Sequence, residues 1–394
     1  MLLSHVRVLD FGRYVAGPYC ATLLGYLGAD VIRVERRGGG EDRFIAPLTA
    51  SGEGAVLFQT ACNKRSLTLD LGNPRAREIV ARLVATADVV VVNLPAAARA
   101  KLGLDYESLC AIRPDIILVT QSAFGDTGPY SQRGGFDGVG QAMSGAMYIT
   151  GTPGAPVKAA APYVDYSTAV LAAFGTLAAL MHRERTGEGQ EVQTTLLGTA
   201  ISVFGSHLIE QGVTGIGRKG TGNRVQTSAP SDVFATSDGH ILTHVVGDGL
   251  FRRWARLMGE EQRWVSDPRF ATDQSRGDNS EPILARMRAW CLERTSAEAI
   301  STLQQAGIPA GPVLTPQETL DDPQVAAMQL LRSVTGYPGL ANAAPVPDLP
   351  VRLTRSGGGI RRPPPLTGEH TEEILRSLGY SDDDIAAFRA GEVV

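Results

Sequence analysis

At 394 residues the chain is too long for one ordinary core, and two domains are expected. Its 37 basic and 41 acidic side chains leave a net charge of −4 on a sequence that is 43% hydrophobic, which fits a soluble enzyme and excludes a basic nucleic-acid or membrane-surface binder. The opening MLLSHVRVLDFG has no basic stretch followed by a long apolar run, and nowhere do about 18 apolar residues stand uninterrupted, so the expected location is the cytoplasm.

In chain order, the first 125 residues alternate β-branched runs with helical patterns: VRVLDF, Pro18 to Leu27, DVIRVE, SLTLDL, Pro74 to Ala87, DVVVVN and IILVTQSAFG. That rhythm predicts a Rossmann-like, doubly wound parallel α/β sheet, whose ligands bind beyond the carboxyl ends of the strands. The loops there are expected to contain Arg13, Arg36, Lys64 and Asn93. A glycine-rich stretch over residues 125–156 precedes a helix from about Asp165 to His182, apolar all round and therefore expected to be buried, with Gly187 as its left-handed cap. The polar, glycine-rich residues 201–225 read as a linker. Residues 226–325 read as a smaller α+β domain, with strands in DVFATSDGHILTHVV and helices in LFRRWARLMG, EPILARMRAWCLERT and SAEAISTLQQAG. The proline- and glycine-rich run from Thr335 to His370 reads as irregular, crossing the surface of the first domain before a last helix at Thr371 to Leu378. The large domain is thus expected over 1–200, completed by 326–394.

Cys20, Cys62, Cys110 and Cys291 lie far apart without C-x-x-C spacing, and His240 and His244 straddle a strand, so no disulfide framework and no metal site are expected. FGRYVAGPYC lacks the G-x-G-x-x-G spacing of a dinucleotide turn, which argues against a nicotinamide enzyme. No nucleophilic serine elbow, H-E-x-x-H motif or cysteine–histidine arrangement is present. Asp165, just before an apolar run, reads by itself as a helix N-cap.

Taken together, VLDFGRYVAGPYCATLLGYLGADVIRVERRGGGE, NKRSLTLDL, VVNLPAAARAKLGLDYESL, GPYSQRGGFDGVGQAMSG, PYVDYSTAVLAAFGTLAALMHRERTGEGQ, AGIPAGPV and PPPLTGEHTEEILRSLGYSDDDIAAF resemble, in order, the blocks of the family III CoA transferases of the CaiB/BaiF type. The resemblance implies transfer of coenzyme A from an acyl-CoA to a carboxylic acid, with acyl-CoA as substrate and no permanently bound cofactor. Asp165 takes the place of the nucleophile. The CoA contacts fall on Val15, Ala16, Arg36, Leu69, Asp70, Leu71, Gly72, Asn93, Leu94, Pro95, Lys101 and the loop Gly134, Gly135, Phe136 and Asp137. The resemblance also implies an interlocked, ring-like homodimer with small-molecule partners only. Formyl-CoA transferases carry glutamine, a basic residue and tyrosine where Val15, Gly134 and Phe136 stand, and their glycine-rich gating loop is reduced here to Gly247-Asp248-Gly249. These departures argue against formyl-CoA and oxalate as the substrate pair, and among dicarboxylates succinyl-CoA is a reasonable first donor. The related 2-methylacyl-CoA racemases place a histidine where Phe136 stands, so an unprotonatable ring there favours transfer over racemisation. A non-catalytic CoA-binding module remains an alternative.

A carboxylate needs no general base to attack a thioester, and the positive end of a helix should keep Asp165 ionised. The harder step is expulsion of the thiolate. Thiol and carboxyl groups differ by roughly 4 to 5 pKa units, or about 6 kcal/mol against it. Binding energy from the distant nucleotide of CoA can offset this bias.

Overall fold

Six short segments assemble into a single parallel sheet. The strands are β1 (Arg7–Asp10), β2 (Asp30–Glu35), β3 (Lys64–Thr68), β4 (Val89–Val92), β5 (Ile117–Ser122) and β6 (Glu191–Thr195), in the order β3-β2-β1-β4-β5-β6. Every pairing is parallel. Chain order reverses between β1 and β4, and that switch point opens a crevice beyond the strand ends. The computed structural model describes residues 1–394.

Alternation along the strands divides the core between the two faces. Leu9, Ile32, Val90, Val92 and Leu118 point one way and Val8, Val31, Val89, Val91, Ile117 and Val119 the other. The helices are α1 (Ala16–Tyr26), α2 (Ala55–Ala61), α3 (Ala76–Ala85), α4 (Ala96–Leu102), α5 (Tyr106–Ile112), α6 (Asp137–Met143), α7 (Ala146–Thr150), α8 (Tyr163–Thr186), α9 (Leu196–Val203) and α10 (Gly205–Thr214). The first face packs on α3 and α5, the second on α1 and α8. β6 is an edge strand of sequence EVQTT. Its polarity hides it from a search for apolar runs.

Contacts divide the chain into two units, one formed by Met1–Ala146, Ala159–Thr214 and Pro323–Val394, the other by Met147–Lys158 and Gly215–Asp322. The segment 201–225, expected as a linker, is instead helical through α9 and α10 up to Thr214. In the second unit, β7 (Ser231–Ala235), β8 (His240–His244) and β9 (Ala310–Pro312) form an antiparallel sheet. Around it lie α11 (Asp248–Leu257), α12 (Glu261–Val265), α13 (Asp273–Asp278), α14 (Ser280–Leu292), α15 (Ser296–Gln305) and α16 (Pro316–Leu320). Phe251, Trp254, Trp264, Phe270 and Met287 build its core. Gly247 leads into α11 at φ 86° and its N–H donates to both oxygens of Asp273. Asp248 and Gly249 are the first residues of α11, so the expected glycine loop is the start of a helix.

The returning chain contributes α17 (Pro323–Ala327), the antiparallel pair β10 (Leu331–Val334) and β11 (Ala344–Pro347), then α18 (Thr371–Ser377) and α19 (Asp382–Ala390). β11 lies inside the stretch expected to be irregular. Its sequence, APVP, carries two prolines, which a two-stranded ribbon tolerates because each strand has a free edge. From there the chain crosses the first unit as expected: Asn63 Oδ1 accepts from the N–H groups of Arg361 and Arg362, and Ser66 Oγ accepts from that of Gly368.

The largest departure from expectation is α8. It ends, as predicted, on Gly187 at φ 78°. Ala169, Ala172, Ala173 and Leu180 are buried against the sheet, but Val170, Leu171, Phe174 and Met181 face outward, Phe174 at 70% exposure. A helix apolar all round has a second face seeking a partner, and within the chain only one is covered. With a mean hydropathy of 1.5 over its most apolar 18 residues, α8 is long and apolar enough to cross a membrane by composition alone. Its packing on α1 and β5 makes it the core helix of the sheet unit.

Candidate active site

The loops after β1, β2, β3 and β4 surround a cavity of about 330 Å³. Phe11, Gly12 and Arg13 line it from the first, Arg36 from the second, Leu69, Asp70, Leu71 and Gly72 from the third, and Leu94 from the fourth. Each loop is fixed by a local bond. Asp10 Oδ1 accepts from Gly12 N–H at 2.8 Å, and a Cβ on Gly12 would lie 2.8 Å from that oxygen and from the Pro18 nitrogen, so no larger residue fits the turn into α1. Asn93 clamps Arg13, its Oδ1 accepting from the main-chain N–H at 2.8 Å and its amide donating to the carbonyl at 2.7 Å. Asp70 Oδ1 accepts from Gly72 N–H, closing an Asx turn.

Arg36, Leu69, Asp70, Leu71, Gly72 and Leu94 thus meet around one cavity. Val15 and Ala16 lie buried at the start of α1, Asn93 braces the rim, and Pro95 and Lys101 lie on the exposed side of α4; none of these five lines the cavity. Lys64, expected in a strand-end loop, is the first residue of β3 and fully buried, its Nζ donating to Asp10 Oδ2 and the Pro18 carbonyl, both at 2.7 Å.

Part of the cavity wall, through Arg33, Glu35 and Asp42, is a buried ionic lattice that the sequence did not reveal. Arg43 donates to Glu35 Oε2 at 2.7 Å and Oε1 at 2.6 Å and to the Pro365 carbonyl. Arg33 reaches Glu35 at 3.2 Å and Asp42 at 2.8 Å. Burial alone pushes the Glu35 carboxyl up, but Arg43, Arg33 and the Ser66 hydroxyl together hold it down at about 2. The apolar patterning of β2 conceals Arg33 and Glu35, and only their position inside a parallel strand hinted that both are buried. Gln121, also missed, is buried at the end of β5 with neither amide atom hydrogen-bonded. Its Oε1 lies 3.5 Å from where a Cβ on Gly17 would stand.

Asp165 occupies a different part of the same unit. It is the third residue of α8, not its N-cap, which is Pro162. The cap comes from Asp137, the buried first residue of α6: its Oδ1 accepts from the N–H groups of Val164 at 2.7 Å and Asp165 at 3.1 Å. Asp137 Oδ2 accepts from Gln141, whose Oε1 in turn accepts from Ala159 N–H. Expected among the CoA contacts, Asp137 has both oxygens engaged inside the protein. Within the chain neither a hydrogen bond nor an ion pair reaches the Asp165 carboxylate. Burial first, and the negative charge of Asp137 second, push its carboxyl up to about 7. The expectation of a fully ionised Asp165 is therefore corrected, because the helix terminus that was to stabilise its charge is already occupied by another carboxylate.

Gly134 is exposed and Gly135 half-buried, the latter because its backbone passes so close to Ala123 that a Cβ would lie 2.9 Å from that methyl. Phe136 is 62% exposed and packs edge-on against Tyr14, ring centres 5.3 Å apart. This contact brings the loop before α6 to the loop after β1. Tyr166 donates to Gln59 and packs edge-on against Tyr19 of α1 at 4.9 Å.

A half-buried, unpaired carboxylate thus stands in the first turn of α8, in the same sheet unit as a strand-end cavity. The sequence profile of CoA-transferase family III matches residues 3–371. The chain belongs to that family. It is 36% identical over its whole length to the succinyl-CoA–D-citramalate CoA-transferase of Chloroflexus aurantiacus, covering 98% of that protein. It is 34% identical to the succinate–glutarate CoA-transferase of Agrobacterium fabrum, over 95% of both chains. Among solved structures, a CaiB/BaiF family protein from Brucella suis superposes with a TM-score of 0.82 at 32% identity, over 95% of this chain and 98% of that one. A Mycobacterium tuberculosis protein, crystallised also as an aspartate-to-alanine variant, gives 0.83 for that variant at 31% identity, over 95% and 98%. As a family III CoA-transferase, the protein acts on CoA thioesters, and its enzyme class is the CoA-transferases.

Proposed function

We propose that the enzyme moves CoA from a dicarboxylyl-CoA, succinyl-CoA first among candidates, to a second dicarboxylate through covalent intermediates on Asp165. The carrying observation is a carboxylate that is half-buried, free of cations and outside the hydrogen-bond network around it. Asp165 attacks the thioester carbonyl carbon, a C–O bond forms, and the C–S bond breaks with its electron pair leaving on CoA thiolate. The thiolate returns to the aspartyl carbonyl, releasing the first acid and leaving an aspartyl-CoA thioester. The acceptor carboxylate attacks that thioester, and the thiolate then takes the acyl group from Asp165. Thioester energy is conserved, and water must be kept out.

The cavity rimmed by Arg36 and Leu69–Gly72 is assigned to CoA, with Arg36 answering its phosphates. The succinyl donor rests on the relatives named above, which act on succinyl-CoA or succinate by their names. The exposed apolar face of α8, together with α10, none of whose residues is buried and whose Ile209 and Val213 are 69% and 81% exposed, supports a homodimer that covers it.

Two measurements test this reading. Wild-type enzyme offered succinyl-CoA with citramalate, glutarate, mesaconate or malate should yield the corresponding new acyl-CoA by mass spectrometry. Hydroxylamine added during turnover should convert Asp165 to its hydroxamate. An enzyme that exchanges no CoA with any pair, yet washes an α-deuterium out of a 2-methylacyl-CoA, overturns the proposal.

A further inference from the structure

We propose that Asp137 is the positioning residue of the nucleophile: its carboxylate fastens the first turn of α8 and sets a second negative charge beside Asp165, which favours expulsion of thiolate over return of the aspartyl carboxylate. The proposal rests on Asp165 being the nucleophile. It goes further in assigning the reactivity of that group to a residue whose own carboxylate oxygens are engaged inside the protein.

The geometry is specific. One Asp137 oxygen bridges the main-chain N–H groups of Val164 and Asp165, at 2.7 and 3.1 Å. The other is held by Gln141 at 2.5 Å, and Gln141 is itself anchored on Ala159. Asp137 is only 6% exposed, so its charge is poorly screened by solvent. The titratable groups around Asp165 are Asp137 from α6, Tyr163 and Tyr166 from its own helix, and Tyr19 from α1 behind Tyr166. None is a cation. An isolated carboxylate at a helix N-terminus is normally stabilised there. Asp137 consumes that stabilisation and leaves Asp165 with the repulsion.

The chemical consequence lies in the tetrahedral adduct. Its central carbon carries the Asp165 oxygen, the CoA sulfur and an oxyanion; collapse breaks either the C–O or the C–S bond. Leaving ability follows the acidity of the departing group, and an ordinary aspartate at about 3.9 departs far more readily than a thiolate at about 8.5. With the Asp165 carboxyl at about 7, the difference narrows to roughly 1.5 units, so about a thousandfold of bias against product is removed. Burial supplies the larger part and Asp137 the rest.

The experiment compares pH profiles of kcat/KM for wild type, Asp137→Asn and Asp137→Glu. Asparagine keeps an oxygen to cap α8 but removes the charge. Its acid limb should move down by about one pH unit and its plateau kcat fall about tenfold, with KM for the acyl-CoA within about twofold, while Asp137→Glu should restore the wild-type limb. Groups on the substrates titrate identically in every variant. An active Asp137→Asn enzyme whose limb has not moved overturns the proposal. Should Asp137→Asn fail to fold, Gln141→Met strips one hydrogen bond from Asp137 without removing its charge and should move the limb up; an unmoved limb there overturns it equally. Hydroxylamine trapping separates the two levels. If wild-type Asp165 is never labelled, the nucleophile assignment fails, whereas labelled Asp165 with a stationary limb defeats only the role of Asp137.

Discussion

Glu35, buried, and Asp165, half-buried, are carboxylates of the same sheet unit, and their proton affinities move in opposite directions. In the cavity wall, Glu35 meets two arginines and a serine and falls to about 2. At the head of α8, Asp165 meets only another carboxylate and rises to about 7. Burial is common to both, so the partners decide. A paired carboxylate is a structural strut, inert at any working pH. An unpaired one holds its proton until near neutrality.

The pH dependence of stability separates the two. Glu35 has a folded pKa below its unfolded value, so its contribution is present above about pH 4.5 and is lost as pH falls toward 2. Asp165 has a folded pKa above its unfolded value. It costs nothing below about pH 3.8, and the cost grows until pH passes about 7.

Four substitutions break or sharpen this contrast. The largest effect belongs to Asp165→Ala, which should cut CoA exchange by at least about 10⁴-fold, measured by isotope exchange between labelled CoA pools, while leaving acyl-CoA binding within about threefold by calorimetry. Next is Arg43→Met, which strands Glu35 in the interior and should cost about 3–5 kcal/mol in urea unfolding at pH 7. The loss should shrink at low pH as Glu35 takes a proton. Asp165→Asn should act oppositely, stabilising the fold by about 2–4 kcal/mol at pH 8, since a tenfold change in proton affinity is worth about 1.4 kcal/mol and partial solvation discounts it. At pH 4 the gain should vanish, and a gain that is flat with pH would count against an unpaired Asp165. Smallest is Arg36→Ala, whose side chain is more than half exposed. It should raise KM for acyl-CoA about tenfold with kcat unchanged, an effect that weakens as salt rises.

The parallel sheet was legible because its inner strands, such as VVVV and DVIRVE, are rich in valine and isoleucine and bounded by turn residues. β6 was not, because an edge strand needs no apolar run. Asp165 could be found only through the blocks around it, since alone it looks like a cap. The residue that caps α8, Asp137, lies 27 residues before Val164, and no local pattern links a carboxylate to N–H groups that far along the chain. Lys64 and Arg33 were misjudged or overlooked for a related reason. A charge inside a strand reads as solvated until its partners, Asp10 or Asp42, are known to lie beside it. The outward face of α8 is the opposite case, in which the composition was read correctly as apolar but the partner assumed for it is not within the chain.

The cavity wall is drawn from residues 11–102, yet it is braced by residues synthesised far later. Thr68, at the end of β3, hydrogen-bonds through its N–H to the Thr371 hydroxyl, made 303 residues later. Asp70, on the cavity rim, donates its N–H to the Val393 carbonyl. β3 is the outer strand of the sheet, so a nascent chain on the ribosome presents it unsealed while the entire second unit is still being threaded out. The sealing of β3, and with it the bracing of the cavity rim at Asp70, therefore waits for the last residues of the chain.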